Sequence, residues 1–191
     1  MSWSLNENGK LTIEGKGEMD QKGEWNKAED VPWNAVRSEI KEVEIGNGIT
    51  SLGKFAFYGC ENLTDVVIPS GVTSIGQSCF QNCNKLTEIV IPDGVMEIGF
   101  YAFAWCGSLT TITMPRIMSK IGEAAFLHCD NLESIKIPIG ITEIGSDTFS
   151  NCYSLKNVEI PYGVTRINNN VFRACTSMTR VTIPEGVTHI G

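Results

Sequence analysis

Residues 55–76 read FAFYGCENLTDVVIPSGVTSIG, and the chain then repeats nearly the same pattern every 23 residues. Phenylalanine and cysteine each recur six times at this step, together with apolar residues and a proline. The two rows are Phe57, Phe80, Phe103, Phe126, Phe149 and Phe172, and Cys60, Cys83, Cys106, Cys129, Cys152 and Cys175. A period of roughly 20 to 50 residues is typical of a solenoid, in which repeats stack because one alone cannot bury its apolar face.

Each repeat contains a short strand followed by a turn. Residues 63–68, LTDVVI, end in alternating apolar positions, which is typical of a strand with one buried face. Pro69 lacks an amide hydrogen and ends the strand, and we expect Gly71 in the turn to need a positive φ angle. A second extended segment follows. We expect residues 77–82 to form a helical turn that carries Phe80, although so short a helix is unstable alone.

The repeat pattern C-x-x-L-x-x-I-x-I-P-x-G-V-x-x-I-G-x-x-x-F resembles the BspA-like class of leucine-rich repeat. This family is common in surface proteins of host-associated bacteria and some parasitic protozoa. The resemblance extends over residues 40–191, about six and a half repeats. It implies an α/β fold, namely a right-handed β-α superhelix with a parallel concave sheet and short helical turns.

Residues 1–39 precede the repeats and resemble the amino-terminal cap of this family. Residues 3–5 and 11–13 predict a β-hairpin, and residues 34–40 predict a short helix after Pro32. Three of the four tryptophans, Trp3, Trp25 and Trp33, lie in this segment and suit the covering of an open apolar end. The chain stops within a repeat, so we expect an uncapped carboxyl end, a fragment of a longer array, or an end-to-end dimer that covers the end.

Composition argues against several classes of partner. The net charge is -7 and the pI is about 4.9, so the basic surface needed for nucleic acid or anionic lipid is missing. No apolar run approaches the ~20 residues that cross a bilayer, so we expect no membrane insertion. Residues 1–10, MSWSLNENGK, lack the basic end and the apolar stretch of a signal peptide. The resemblance implies a secreted or cell-surface protein whose leader is absent from this chain, and a cytoplasmic location remains the alternative.

The sequence predicts no catalytic, metal or cofactor site. One thiol per repeat does not give the two close pairs typical of a zinc site, and thiols in register point the same way, which disfavours disulfides. We therefore expect the cysteine row to act as small buried apolar residues. Cys79 lies outside the row in a position of small residues and is only weakly a candidate for a reactive thiol. His128 and His189 occupy different repeat positions, so they predict neither a triad nor a metal site.

The outward positions of the predicted strands vary while the rest of the repeat stays constant. Seven strands in register would form a sheet roughly 29 Å across, at about 4.8 Å per strand, which suits a protein or peptide partner. The candidate binding residues on this concave face are Asp65, Val67, Glu88, Val90, Thr111, Thr113, Ser134, Lys136, Asn157, Glu159, Arg180 and Thr182. The alternative is an ordinary solvated sheet face, where β-branched residues are simply good strand formers.

Two repeats depart from the pattern. Ile117 replaces the glycine of the turn, so we expect that turn to change shape and expose an apolar side chain. Asn168 replaces a recurring glycine at the end of the second segment, and we expect this change to be mild because asparagine tolerates the left-handed conformation better than other non-glycine residues.

The resemblance implies a non-enzymatic module that binds proteins, including host matrix or cell-surface proteins, in adhesion. A structural spacer that projects another domain is the alternative, and an enzyme is a third reading that no residue pattern supports.

Overall fold

Two stacks of short strands run along the solenoid of about six turns in the computed structural model, which describes all 191 residues. The first stack, the front sheet, is the predicted concave sheet. Its strands are β1 (Ser2–Leu5), β2 (Lys10–Glu14), β4 (Glu42–Ile45), β6 (Asp65–Val67), β8 (Glu88–Val90), β10 (Thr111–Thr113), β12 (Ser134–Lys136), β14 (Asn157–Glu159) and β16 (Arg180–Thr182). All neighbours pair in parallel except β1 and β2, which form the predicted antiparallel hairpin.

The second sheet contains the second extended segment of each repeat. Its strands are β3 (Gly17–Glu18), β5 (Ile49–Leu52), β7 (Ser74–Ile75), β9 (Glu97–Ile98), β11 (Lys120–Ile121), β13 (Glu143–Ile144), β15 (Arg166–Ile167) and β17 (His189–Ile190). Both sheets are interrupted. No ladder joins β6 to β8 in the front sheet or β11 to β13 in the second, so the expectation of seven front strands in one continuous sheet is wrong.

The third side of each turn is not helical, contrary to the prediction. The only helices are two 3-10 helices in the cap, Ala28–Asp30 and Asn34–Glu39. The expected β-α superhelix is therefore not supported. The helix predicted after Pro32 is present, as a 3-10 helix. Ser78 and Asn82 have φ angles of 53° and 63°, which interrupt a right-handed helix. Their N–H groups instead donate to carbonyls of the following repeat, at 2.8 and 3.0 Å. We call this stack of turns, residues 55–59 and their equivalents, the turn side.

The core between the three sides consists of rows that follow the period. The Phe row stacks from Phe57 to Phe172 with neighbouring ring centroids 5.2 to 5.9 Å apart. The cysteine row lies beside it and is buried throughout. Because each ring contacts the next along the stack, the apolar surface of one repeat is buried by its neighbours, as a solenoid requires.

Trp33 closes the amino-terminal end of this core. Its ring is 1% exposed and stacks on Phe57 with centroids 6.1 Å apart, while Trp3 and Trp25 pack edge-on against it. Its indole N–H also donates to the Ala56 carbonyl at 2.6 Å. In later repeats the carbonyl equivalent to that of Ala56 accepts a hydrogen bond from a backbone N–H of the preceding repeat, as Cys79 does from Phe57. No repeat precedes Ala56, so Trp33 provides both the stacking ring and the N–H donor that a preceding repeat would provide.

The recurring glycines allow close approach between turns. A β-carbon on Gly122 would lie 2.5 Å from the Gly99 carbonyl carbon and from the Phe100 nitrogen, yet the φ angle of Gly122 is not positive. The interpretation of Asn168 is therefore wrong, since this position does not require a left-handed residue. Gly71 likewise lacks the expected positive φ.

Candidate functional site

The front sheet exposes two side chains per strand and buries the residue between them, as the alternation predicts. Val66, Ile89 and Ile112 are examples of the buried central residues. All twelve residues of the predicted binding face are exposed and lie in two parallel columns. The first column is Asp65, Glu88, Thr111, Ser134, Asn157 and Arg180, and the second is Val67, Val90, Thr113, Lys136, Glu159 and Thr182.

The charges on this face are divided between its two ends. Glu42 and Glu44 on β4 precede Asp65 and Glu88, so four carboxylates occupy the amino-terminal half. The nearby cation is Lys10, whose Nζ lies 2.8 Å from Glu44 Oε2, and this hydrogen bond raises the pKa of Lys10. The carboxyl-terminal half is mixed, with Lys136, Glu159 and Arg180. The amino-terminal half therefore favours a partner that carries positive charge.

Val67 and Val90 form an exposed apolar pair in the acidic half. Their exposed fractions are 65% and 64%, and they lie on either side of the break between β6 and β8. A cavity of about 370 Å³ over β4 and β6 and one of about 340 Å³ over β6 to β10 share Asp65 and Val67 among their lining residues. The two cavities are thus parts of one shallow groove with valines at its centre and carboxylates along one side.

A second apolar region lies at the edge of the front sheet, where Ile117 replaces glycine. Ile117 is 59% exposed, and Met118 donates its N–H to the Ile139 carbonyl of the next repeat at 3.0 Å. In the preceding repeat the equivalent N–H, that of Val95, donates to the Pro92 carbonyl within its own turn. The prediction that this turn changes shape and exposes Ile117 is confirmed.

The cysteines are free, buried and chemically quiet. Five of the thiols donate to the carbonyl of a phenylalanine in the preceding repeat, for example Cys106 to Phe80 at 3.0 Å. Burial raises the pKa of Cys60 to about 12 and that of Cys79 well above its usual range. The weak candidacy of Cys79 as a reactive thiol is therefore wrong, because a nucleophile must be an accessible thiolate.

The histidines do not form a catalytic pair. His128 Nδ1 lies 3.3 Å from Asp130 Oδ1, and His128 Nε2 lies 3.1 Å from Asn151 Nδ2, so both ring nitrogens have partners. His189 lies on β17 in the second sheet. No group of three metal-ligating side chains occurs in the structure, and neither 3-10 helix has the length and apolar character of a membrane span.

Comparison with known families agrees with this architecture. The model of the BspA type leucine rich repeat region matches in six copies, over residues 36–118 and 96–191. The chain belongs to this family. BspA-type repeats are leucine-rich repeat proteins, which are generally non-enzymatic. A comparison with curated proteins finds no match.

Solved structures resemble this BspA-type chain over most of its length. A leucine-rich repeat protein of T. pallidum is 30% identical with a TM-score of 0.76, over 99% of this chain and 82% of that one. One from Bacteroides ovatus is 28% identical with a TM-score of 0.76, over 81% of this chain and 40% of that one. A third, from Eubacterium ventriosum, is 24% identical with a TM-score of 0.60, over 99% of this chain and 65% of that one. This chain therefore spans less than half the length of the Bacteroides protein.

Sequence reasoning missed one feature of the BspA-type chain, an exposed group of rings where the turn side leads into the front sheet. Tyr101, Trp105 and Tyr153 are each 37 to 40% exposed. Trp105 and Tyr153 lie next to His128, and Tyr101 lies next to Trp105. They occupy three different positions of the repeat, so a comparison position by position does not align them. The sequence did contain one sign of this group, because Trp105 occupies the repeat position that asparagine fills at Asn82 and Asn151.

Proposed function

We propose that this BspA-type chain is a non-enzymatic module that binds a protein partner through its front face, in adhesion at a cell surface. The observation that carries the proposal is the groove centred on Val67 and Val90. Exposed apolar side chains beside carboxylates on a rigid sheet offer both a hydrophobic contact and a charge to a partner. We infer that the partner presents apolar and basic side chains, and host matrix proteins are a source of such surfaces.

The location follows from the family rather than from the geometry. BspA-type repeats are common in surface proteins, so we propose a secreted or cell-surface location for the parent protein. The spacer function is the competing proposal. It requires no binding by the front face.

The test uses substitutions that the repeats themselves supply. Thr113 and Thr182 occupy the position of Val67 and Val90, so Val67→Thr with Val90→Thr removes the apolar pair and keeps the strand propensity. Adding Glu88→Thr removes a carboxylate in the same way, since Thr111 occupies that position. Binding to immobilised host-matrix proteins is measured by biolayer interferometry. We expect the triple variant to bind at least about tenfold more weakly.

The matched control changes exposed residues of the second sheet, Glu97→Ser and Lys120→Ser, because Ser74 occupies their position. This variant should bind like the parent chain. Equal binding by the front-face variant and the parent would contradict the proposed face, and a parent chain that binds no matrix protein would favour the spacer.

A further inference from the structure

A row of four rings lies at the start of the loop that leads into the front sheet. Tyr101 and Trp105 are nearly parallel with centroids 6.2 Å apart, and Trp105 and His128 are nearly parallel at 6.0 Å. Tyr153 lies 6.3 Å from His128 and is turned by 73°. We call these four residues the aromatic row. It extends over three repeats and presents partly exposed rings on a face separate from the predicted binding residues.

Backbone geometry gives no reason for a tryptophan in this row. Trp105 has a φ angle of 58°, and its five equivalents Gly59, Asn82, His128, Asn151 and Ala174 also have positive φ. Glycine and asparagine are the residues that accept this conformation most readily, whereas it is unfavourable for a bulky side chain. Trp105 is also 37% exposed, so burial in the core does not explain it. A residue that suits neither the backbone nor the core is best explained by what its ring contacts outside the chain.

The polar groups around the row are fixed in orientation. His128 Nε2 lies 3.1 Å from Asn151 Nδ2 and His128 Nδ1 lies 3.3 Å from Asp130 Oδ1, so the imidazole is held between these two side chains. Asp130 Oδ2 has no hydrogen-bond partner in the protein and lies 3.9 Å from where a β-carbon on Gly107 would be. Gly107 therefore leaves open space beside this free acceptor.

The row carries little charge. Within residues 105–108, 128–131 and 151–154, Asp130 is the only acidic side chain and there is no lysine or arginine, while Asn131, Ser108 and Ser154 add amide and hydroxyl groups. The absence of a lysine or arginine there argues against phosphate, sulfate or nucleic acid as the ligand. Partly exposed aromatic rings beside a carboxylate and amides suit a ligand with apolar C–H faces and many hydroxyl donors.

We propose that the aromatic row binds a neutral glycan chain. Pyranose rings place their C–H faces against Trp105 and Tyr153, and their hydroxyl groups donate to Asp130 Oδ2. Successive repeats are spaced by about 4.8 Å, close to the length of one pyranose unit, so the row follows a linear chain over two or three sugars. A proline-rich peptide also packs on aromatic side chains, but its prolines have no N–H to donate to Asp130.

The experiment again takes its substitutions from the other repeats. Trp105→Asn and Tyr153→Thr introduce the residues found at the equivalent positions 82 and 176, and Trp105→Asn also suits the positive φ angle. The probes are cellohexaose, laminarihexaose, xylohexaose and mannohexaose, titrated by isothermal calorimetry, with decaproline as the competing ligand class. We expect at least one of the four glycans to bind, and Trp105→Asn to weaken that binding about tenfold or more.

Tyr162→Ser is the control, because Tyr162 is a fully solvated aromatic elsewhere, 86% exposed, and Ser70 is its equivalent. It should leave glycan binding unchanged, and thermal unfolding should show that the row variants remain folded. The proposal is overturned if none of the four glycans binds, if Trp105→Asn and the control have equal affinity, or if decaproline binds and the glycans do not.

Discussion

The tight stacking of repeats at Gly122 predicts a large effect from a single added methyl group. In Gly122→Ala the β-carbon would lie 2.5 Å from the Gly99 carbonyl carbon and the Phe100 nitrogen. Ordinary contacts between carbon atoms are about 3.5 to 4.0 Å, so the two repeats must separate locally by about 1 Å. The Gly122 N–H donates to the Ile98 carbonyl at 2.8 Å, and that separation would break the bond.

Two costs and one gain determine how much free energy of unfolding Gly122→Ala should lose. Overpacking costs about 1 to 3 kcal/mol, and the lost hydrogen bond costs about 1 kcal/mol. The reduced entropy of the unfolded chain returns about 0.4 to 1 kcal/mol. We therefore expect Gly122→Ala to destabilise the chain by about 1 to 3.6 kcal/mol. A loss near the middle of this range, about 2 kcal/mol, lowers the urea midpoint by about 1 M at a slope of about 2 kcal/mol per M.

Gly107→Ala is the matched control, since its φ is not positive and its nearest atom would be Asp130 Oδ2 at 3.9 Å. We expect this variant to be as stable as the parent or slightly more stable. Urea unfolding followed by circular dichroism measures both variants. A Gly122→Ala midpoint equal to that of the parent, or an equal loss in both variants, would refute the close-approach explanation.

Two further predictions concern the cysteines. In the folded protein at pH 8, Ellman's reagent should modify the thiols only slowly and should reach Cys175 first, because Cys175 is 9% exposed and is the most exposed of the seven. Unfolding in urea should make all seven thiols react. Rapid modification of Cys83 in the folded chain would contradict the buried row. Stability should also fall as the pH rises above about 9, because the pKa values of Cys60, Cys83 and Cys129 are raised in the folded state and the unfolded thiols ionise first. The expected loss is about 1.4 kcal/mol per pH unit for each thiol. Cys60→Ala should reduce the slope of the urea midpoint against pH, and a midpoint that stays constant from pH 8 to 10 would show the reasoning to be wrong.

The period made much of the fold predictable. Because every repeat places its phenylalanine, cysteine and strand at the same offsets, the buried rows and the exposed columns follow from alternation within one repeat. The hairpin of the cap was also predictable, and so was the exposure of Ile117. The family resemblance was correct for the same reason, since it rests on about ten positions per repeat.

The turn side was not predictable from local propensity. Phe55, Ser78 and Tyr101 have positive φ angles, although none of these residues favours that conformation. Hydrogen bonds to the next repeat decide the backbone there, and those partners are 22 residues away. A helical turn is the natural expectation when such partners are ignored, which is why the predicted helices within the repeats are absent.

The hydrogen bonds of the turn side give the solenoid a direction. At Phe57, Phe80 and Phe103 the N–H donates to the repeat that follows, and the carbonyls of each repeat accept from the one before. The stack of turns is therefore directional: its free carbonyl acceptors point toward the cap and its free N–H donors point toward the other end. At the cap, the Trp33 indole N–H donates to one of these carbonyls. Within the chain, each repeat therefore meets the next head to tail. In a two-fold dimer through the carboxyl-terminal ends of two chains, the N–H donors of the two turn sides would face each other without acceptors. A further repeat stacked in the same direction would supply carbonyl acceptors for these N–H groups, whereas that dimer would not.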